Sequence, residues 1–410
     1  MKQKFLLFSA ALCIIASCSK DDGTSSSSSS ATSFNGDKIS FENATSRASV
    51  ATITTLEDDD IGFKVYATTA SDNSTWYIDG SNNYVYSSAW GWTDTDNEPL
   101  WPSDTSEYDM SFLAIYPAAP TGSTLTATAP NLSAAIVVPS PSGQDDIMTA
   151  VASTSAKPAD GHITLYFKHI LSRLGFSIKA GDGVTVELQC IKMSSVGNSG
   201  SYDVATESWT EAPDTFENDY TYIDLAGETH ATFLGATDDD TSELKSTLAG
   251  STDDYLMLMP QSGAPAWDPY DWADGDTADD MEGAFIELIY RYSSDEEENC
   301  IGYDDISDHP DYNTVDDASL ESTPLYIRVA YPLDASWEKG YSYDYQISLG
   351  TLDSSNGYLI DEYYYDKYGN PTKFTVNSEL TTGDPVSSNV IHFEVKVYSG
   401  WTTDSSLATL

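Results

Sequence analysis

The residues that could do chemistry in this 410-residue chain are few, and its four cysteines are the clearest of them. Cys18 closes the run Ile15-Ala16-Ser17-Cys18. Before it come Lys2 and Lys4 and then an apolar stretch from Phe5 to Ala16. That order reads as a secretory leader ending in a lipobox. Small residues fit the signal peptidase, and the exposed thiol takes a diacylglycerol that holds the mature chain to a membrane. The apolar stretch is too short to span a bilayer itself. Residues 1–17 are therefore a signal peptide, and Cys13 leaves with it. Cys190 and Cys300 remain, either as one disulfide in an oxidising compartment or as two free thiols. No CxxC or HxxxH spacing exists, so no metal site is expected.

The other candidates are weaker. His169 would need a nucleophile or carboxylate partner to act as a base, and none is near it in sequence; a core or turn histidine is favoured. The nearest approach to a calcium loop is Asp94-x-Asp96-x-Glu98, without the glycine and distal glutamate of an EF-hand. The acidic runs Asp58-Asp59-Asp60, Asp238-Asp239-Asp240, Asp279-Asp280 and Glu296-Glu297-Glu298 read as solvated surface. With 18 basic against 65 acidic side chains the formal charge is −47. That balance opposes binding to nucleic acid or to anionic membrane surfaces. No G-x-S-x-G, H-E-x-x-H, P-loop or dinucleotide fingerprint occurs. An enzyme is not expected, nor a cofactor, although the many carboxylates leave a glycosidase pair as the residual enzymatic reading.

The elements that must position these residues are strands. Apolar stretches alternate or run short between turn signals, as in Ile61–Ala67, Met110–Tyr116, Ile163–Phe167, Leu174–Lys179, Val184–Met193, Tyr341–Leu349 and Val390–Tyr398. Many strands joined by loops imply β-sandwich architecture. Ser25–Ser30 is a flexible tether. The small, polar stretch Ser153–Gly161 marks a break between an N-terminal domain, 48–160, and a C-terminal domain, 161–410, with a break near residue 181 as the alternative. The run Ile163–Lys179 and the strand Val184–Met193, joined by Ala180-Gly181-Asp182-Gly183, are expected to form one hairpin in one sheet. Tyr341, Tyr343 and Tyr345 share one strand face, which packs or offers a platform to sugar rings; packing is favoured.

Four stretches resemble the fimbrillin family, the Mfa-like pilins of surface fimbriae. They are Gln144-Asp145-Asp146-Ile147-Met148, Leu165–Phe176 (LYFKHILSRLGF), Leu256–Gln261 (LMLMPQ) and Trp337–Leu349 (WEKGYSYDYQISL). Their order covers about residues 48–401. The resemblance implies two transthyretin-like, immunoglobulin-like β-sandwich domains in tandem. It implies a lipoprotein precursor in the cell outer membrane, consistent with Ser19-Lys20-Asp21-Asp22, which resembles an acidic export tag. It further implies that an arginine-specific protease removes an N-terminal segment, and that a strand from another fimbrillin subunit takes its place in an extracellular fimbrium.

The arginines fit that scheme. Arg47 is the sole one before Arg173, and the others are Arg291 and Arg328. Arg47 lies in a small, polar stretch, so cleavage between Arg47 and Ala48 is expected, with 18–47 as lipidated tether and propeptide. Ile39–Phe41 would belong to the strand removed. The last nine residues alternate poorly as a donor, so a stalk and a tip role both stay open. Adhesion targets would be host or bacterial surface glycans or proteins. The alternative is a surface glycan-binding lipoprotein using loop aromatics such as Trp90, Trp92, Trp101, Trp267 and Trp272. An exposed row of those rings would favour it.

Overall fold

The computed structural model describes residues 40–45, 61–87, 91–93, 99–159, 161–180, 184–211, 216, 218–224, 231–234, 242–243, 255–268, 281–294, 324–349, 358–365, 371–373 and 391–399. These residues are strands almost throughout, with two single 3-10 turns at Thr105–Glu107 and Pro141–Gly143. The all-β reading of the sequence holds.

The N-terminal strands are β1 (Ser40–Thr45), β2 (Lys64–Thr69), β3 (Ile78–Asp79), β4 (Val85–Ser87) and β5 (Gly91–Thr93). They are followed by β6 (Met110–Tyr116), β7 (Ser123–Thr128), β8 (Asn131–Val137), β9 (Met148–Thr154) and β10 (His162–His169). Eight of the ten form one sheet in the order β3-β2-β6-β9-β10-β1-β5-β4. The sheet rolls up, because Tyr84, just before β4, bridges back to Phe63, just before β2. Two backbone hydrogen bonds of 3.1 and 2.9 Å close that seam. Inside lies an aromatic core with Phe63, Tyr84, Trp92, Trp101, Phe112 and Phe167. Phe63 sits at its centre, 5.1–5.6 Å from the rings of Trp92, Phe167 and Tyr84.

The next strands are β11 (Ser172–Ala180), β12 (Val184–Val196), β13 (Ser199–Asp203), β14 (Ser208–Glu211), β15 (Asn218–Asp224), β16 (Ala231–Leu234), β17 (Ser242–Glu243) and β18 (Leu256–Leu258). The last are β19 (Phe285–Ser294), β20 (Tyr326–Pro332), β21 (Tyr341–Leu349), β22 (Tyr358–Tyr365), β23 (Pro371–Lys373) and β24 (Ile391–Ser399). One sheet runs β17-β11-β21-β24, with β18 also on β11. Another runs β15-β12-β19-β20-β22-β23, with β16 also on β12. Their alternating apolar residues meet in the larger core: Leu174, Phe176 and Tyr345 from one sheet, Leu188, Leu288 and Tyr290 from the other. The four-stranded sheet β14-β13-β8-β7 adds Leu132, Ile136 and Tyr202 to the same core.

The expected hairpin between Ile163–Lys179 and Val184–Met193 does not form. The run is two strands, β10 and β11, in different sheets, and β11 and β12 lie in different sheets again. The physical reason is that β11 finds better ladder partners elsewhere. It pairs in parallel with β21 over eight residues and antiparallel with β18. The apolar alternation of β11 and β12 then faces the shared core rather than one sheet surface. The expected boundary at 160/161 falls between β9 and β10, which are neighbours in one sheet. Strand β8 also pairs with β13 across that point.

Candidate functional site

β1 is the strand with an unusual place. It lies in the wall of the rolled sheet, parallel to β10 on one side and antiparallel to β5 on the other. Six positions pair with β10, from Ser40 opposite His162 to Thr45 opposite Phe167, and Phe41 also stands opposite Trp92. On β10 the alternation is complete: Ile163, Leu165 and Phe167 are buried and Tyr166 and Lys168 are exposed. Positions 41, 43 and 45 of β1 are therefore in register with the buried set. Withdrawing β1 would leave the edges of β10 and β5 unpaired over an apolar core. Unpaired edges of that kind accept another strand.

Arg47 and Ala48 lie outside the described residues, two and three positions beyond the end of β1. The other three arginines are all placed, and each is held within a strand. Arg173 on β11 is buried, donates from Nε to Ser342 Oγ at 3.1 Å, and stacks its guanidinium 4.0 Å from the centre of the Tyr255 ring. Gly175 makes room for that ring, since a Cβ there would come within 2.6 Å of it. Arg291 on β19 donates from Nε to Glu187 Oε2 at 2.7 Å. Arg328 on β20 pairs with Glu287. A protease needs an extended, accessible backbone, and these three offer a paired one.

The stretches that carried the resemblance serve as joints. Gln144 accepts the Met257 N–H at 2.8 Å and donates to the Pro139 carbonyl at 3.1 Å. Asp145 accepts the Thr121 N–H at 2.6 Å. Asp146 pairs with His169 Nδ1 at 2.8 Å. His169 is buried, so it sits in the structural role favoured for it. Asp146 is the carboxylate partner that sequence distance concealed, since 23 residues separate the two. Glu338 offers its N–H to the Tyr343 hydroxyl at 2.8 Å, and Trp337 donates from Nε1 to the Tyr345 hydroxyl at 2.9 Å. The tyrosine stripe therefore packs, with Tyr343 and Tyr345 in the core.

Trp92, Trp101 and Trp267 are each at most 5% exposed, so they form no sugar platform. Trp90 and Trp272 lie outside the described residues, as do Cys18, Cys300 and Asp94–Glu98. Cys190 is buried on β12 beside Ile289 and Tyr326. Among the described residues, no three His, Cys, Asp or Glu side chains gather as a metal site. Among the described residues, no helix is long and apolar enough to cross a membrane.

The chain is all-β, and its first described strand lies between two strands of a rolled sheet. The sequence model of the fimbrillin-like family matches residues 46–280, more than half of the chain, and the chain belongs to that family. No curated protein matches it. Among solved structures, a fimbrial protein from Bacteroides vulgatus ATCC 8482 is similar at 15% identity and a TM-score of 0.52, over 76% of this chain and 94% of that one. A protein from Bacteroides uniformis ATCC 8492 assigned to cell adhesion aligns at 14% identity and a TM-score of 0.40, over 89% and 98%. The first of these bears on the fold.

Proposed function

We propose that this fimbrillin-like chain is a structural and adhesive subunit of surface fimbriae. It is exported as a lipoprotein on Cys18, cut between Arg47 and Ala48, and assembled when a strand of another subunit replaces β1. The observation that carries this reading is the place of β1. It is a six-residue strand, in parallel with β10, that ends two residues before Arg47. A cut there separates β1 covalently from the rest of the fold while leaving it bound only through its ladder. The acceptor edge is then filled by a new strand with no rearrangement of the remaining sheet. The burial of Arg173 and the pairing of Arg291 and Arg328 make Arg47 the preferred point of attack. The surface where the fimbrium forms is reached through the lipid of the precursor.

The test is limited digestion of the chain with an arginine-specific protease, read by intact mass and size exclusion. One cut after Arg47, absent in Arg47→Ala, followed by oligomers, is the expected result. Oligomers built only with a separate pilin would assign a tip role. Resistance at Arg47, or cutting at Arg173, Arg291 or Arg328 first, would sink the maturation scheme.

A further inference from the structure

The strands that end sheets differ sharply in how they are protected. Two of them, β3 and β17, have only two residues, and β4 and β18 have three. β16 has four, and β14 has four including Glu211. β15 carries Asp219 and Asp224, β23 carries Pro371 and Lys373, and β24 carries Glu394 and Lys396. Shortness, charge and proline are the usual means of keeping edges from pairing. β7 has none of them. It is six residues, Ser-Thr-Leu-Thr-Ala-Thr, at the end of the four-stranded sheet, mostly exposed.

The ladder shows which groups it presents. The Val137 N–H donates to the Gly122 carbonyl at 2.8 Å. Gly122 takes a left-handed φ of +69° there, and a Cβ would meet that strand's carbonyl. Counting by twos along β7, Thr124, Thr126 and Thr128 also turn their backbone groups toward β8, opposite Ala135, Ser133 and Asn131. The backbone groups of Ser123, Leu125 and Ala127 therefore point outward. Among the described residues, only the Ser123 N–H is taken there, by the Pro120 carbonyl at 3.2 Å. The remaining donors and acceptors of this edge have no neighbouring strand among the described residues.

Charge decides what can approach. In a chain of net −47, no Asp, Glu, Lys or Arg occurs from Met110 to Gln144, the stretch that contains the whole β7–β8 hairpin. Two copies can meet there with no charged side chain of the hairpin itself face to face; the carboxylate beside it is Asp145, on the Thr121 N–H at 2.6 Å. We propose that β7 pairs with β7 of a second copy, antiparallel, about a two-fold axis at Leu125. In that register Leu125 exchanges two hydrogen bonds with its own symmetry mate. The Ala127 N–H donates to the Ser123 carbonyl of the other copy, and Thr124 lies across from Thr126. The contact is isologous and self-complementary. It is small, so it is weak between single molecules and gains where copies are arrayed side by side. It does not depend on the β1 exchange.

Sedimentation velocity of the uncut full-length chain, across protein concentration and salt, tests this. A monomer–dimer equilibrium that strengthens with salt is expected, because screening reduces the repulsion of two acidic molecules. Ala127→Pro removes an outward N–H and leaves the β7–β8 ladder intact, so far-UV circular dichroism should match the parent. It should weaken the dimer roughly thirtyfold, as two lost hydrogen bonds would. Thr126→Lys, an exposed position, should also abolish pairing. A chain that stays monomeric at every concentration and salt overturns the proposal. So does a dimer that survives both substitutions, which would point to the β1 groove or another surface instead.

Discussion

Asp146 holds His169 Nδ1 at 2.8 Å, at the point where β10 ends. Next to it the Ile170 N–H donates to the Ile147 carbonyl at 3.1 Å, and two residues further β11 begins in a different sheet. The turn between sheets is held by this pair and this bond together with the Trp209 Nε1–H on the Ile170 carbonyl at 3.1 Å and the Gly340 N–H on the Leu171 carbonyl at 2.7 Å. Asp146→Ala would leave a buried ring nitrogen without its carboxylate, at a cost of about 1–3 kcal/mol. A lower urea midpoint with an unchanged slope is the expected result, and an unchanged midpoint would mean that the pair is idle. Much at this scale could be read in the sequence. A buried His169 and a packing role for Tyr343 and Tyr345 agree with the sequence reading, although Asp146 supplies the carboxylate partner that reading found lacking for His169. The partners could not be read, because Gln144 reaches Met257 and Arg173 reaches Ser342 across more than a hundred residues. Spacing along a chain carries no record of such contacts.

The strands themselves were legible, since a period of two with β-branched and aromatic residues has few other readings. Their allocation to sheets was not. LYFKHILSRLGF is one apolar run, yet it serves two sheets, because both of its halves meet a core and nothing in apolar content marks the switch. β1 was legible only as a short segment before Arg47. Its parallel place beside β10 required the fold. The register adds a prediction. Phe41, Asn43 and Thr45 stand opposite Ile163, Leu165 and Phe167. Two of the three positions in line with the apolar set are polar types, so β1 is a poorer match than an alternating apolar strand would be. On the proposed exchange, that favours displacement. Asn43→Val should strengthen β1 by about 1–2 kcal/mol. Amides of β10 should then exchange more slowly, and after cleavage at Arg47 the freed segment should stay bound longer. Exchange as fast as in the parent would show that the segment's side chains do not hold it.

At the scale of the whole molecule, buried phenols set the alkaline limit of stability. Burial pushes the Tyr202 hydroxyl up to about 12, and raises Tyr220, Tyr343 and Tyr345 above the ordinary tyrosine range as well. These groups bind their protons more tightly folded than unfolded. Their contribution to stability is therefore complete below the unfolded value of about 10 and is lost as the pH climbs through the folded values. Rising charge acts in the same direction, because each tyrosinate adds to a chain already at −47. Tyrosinate absorbance should then rise in two steps. Exposed phenols titrate first with the far-UV signal intact, and the buried ones appear only as the sheets are lost. Tyr220→Phe separates the two contributions of one hydroxyl. It removes the hydrogen bond to the Val138 carbonyl, 2.9 Å, and should lower stability at neutral pH by about 1 kcal/mol. It also removes one group that must ionise, so the alkaline transition should become shallower with pH even as its starting stability falls. A single-step titration near 10 with the sheets still folded would mean that these phenols are open to solvent, and that the larger core is less closed than the packing of Tyr202, Tyr220 and Tyr345 requires.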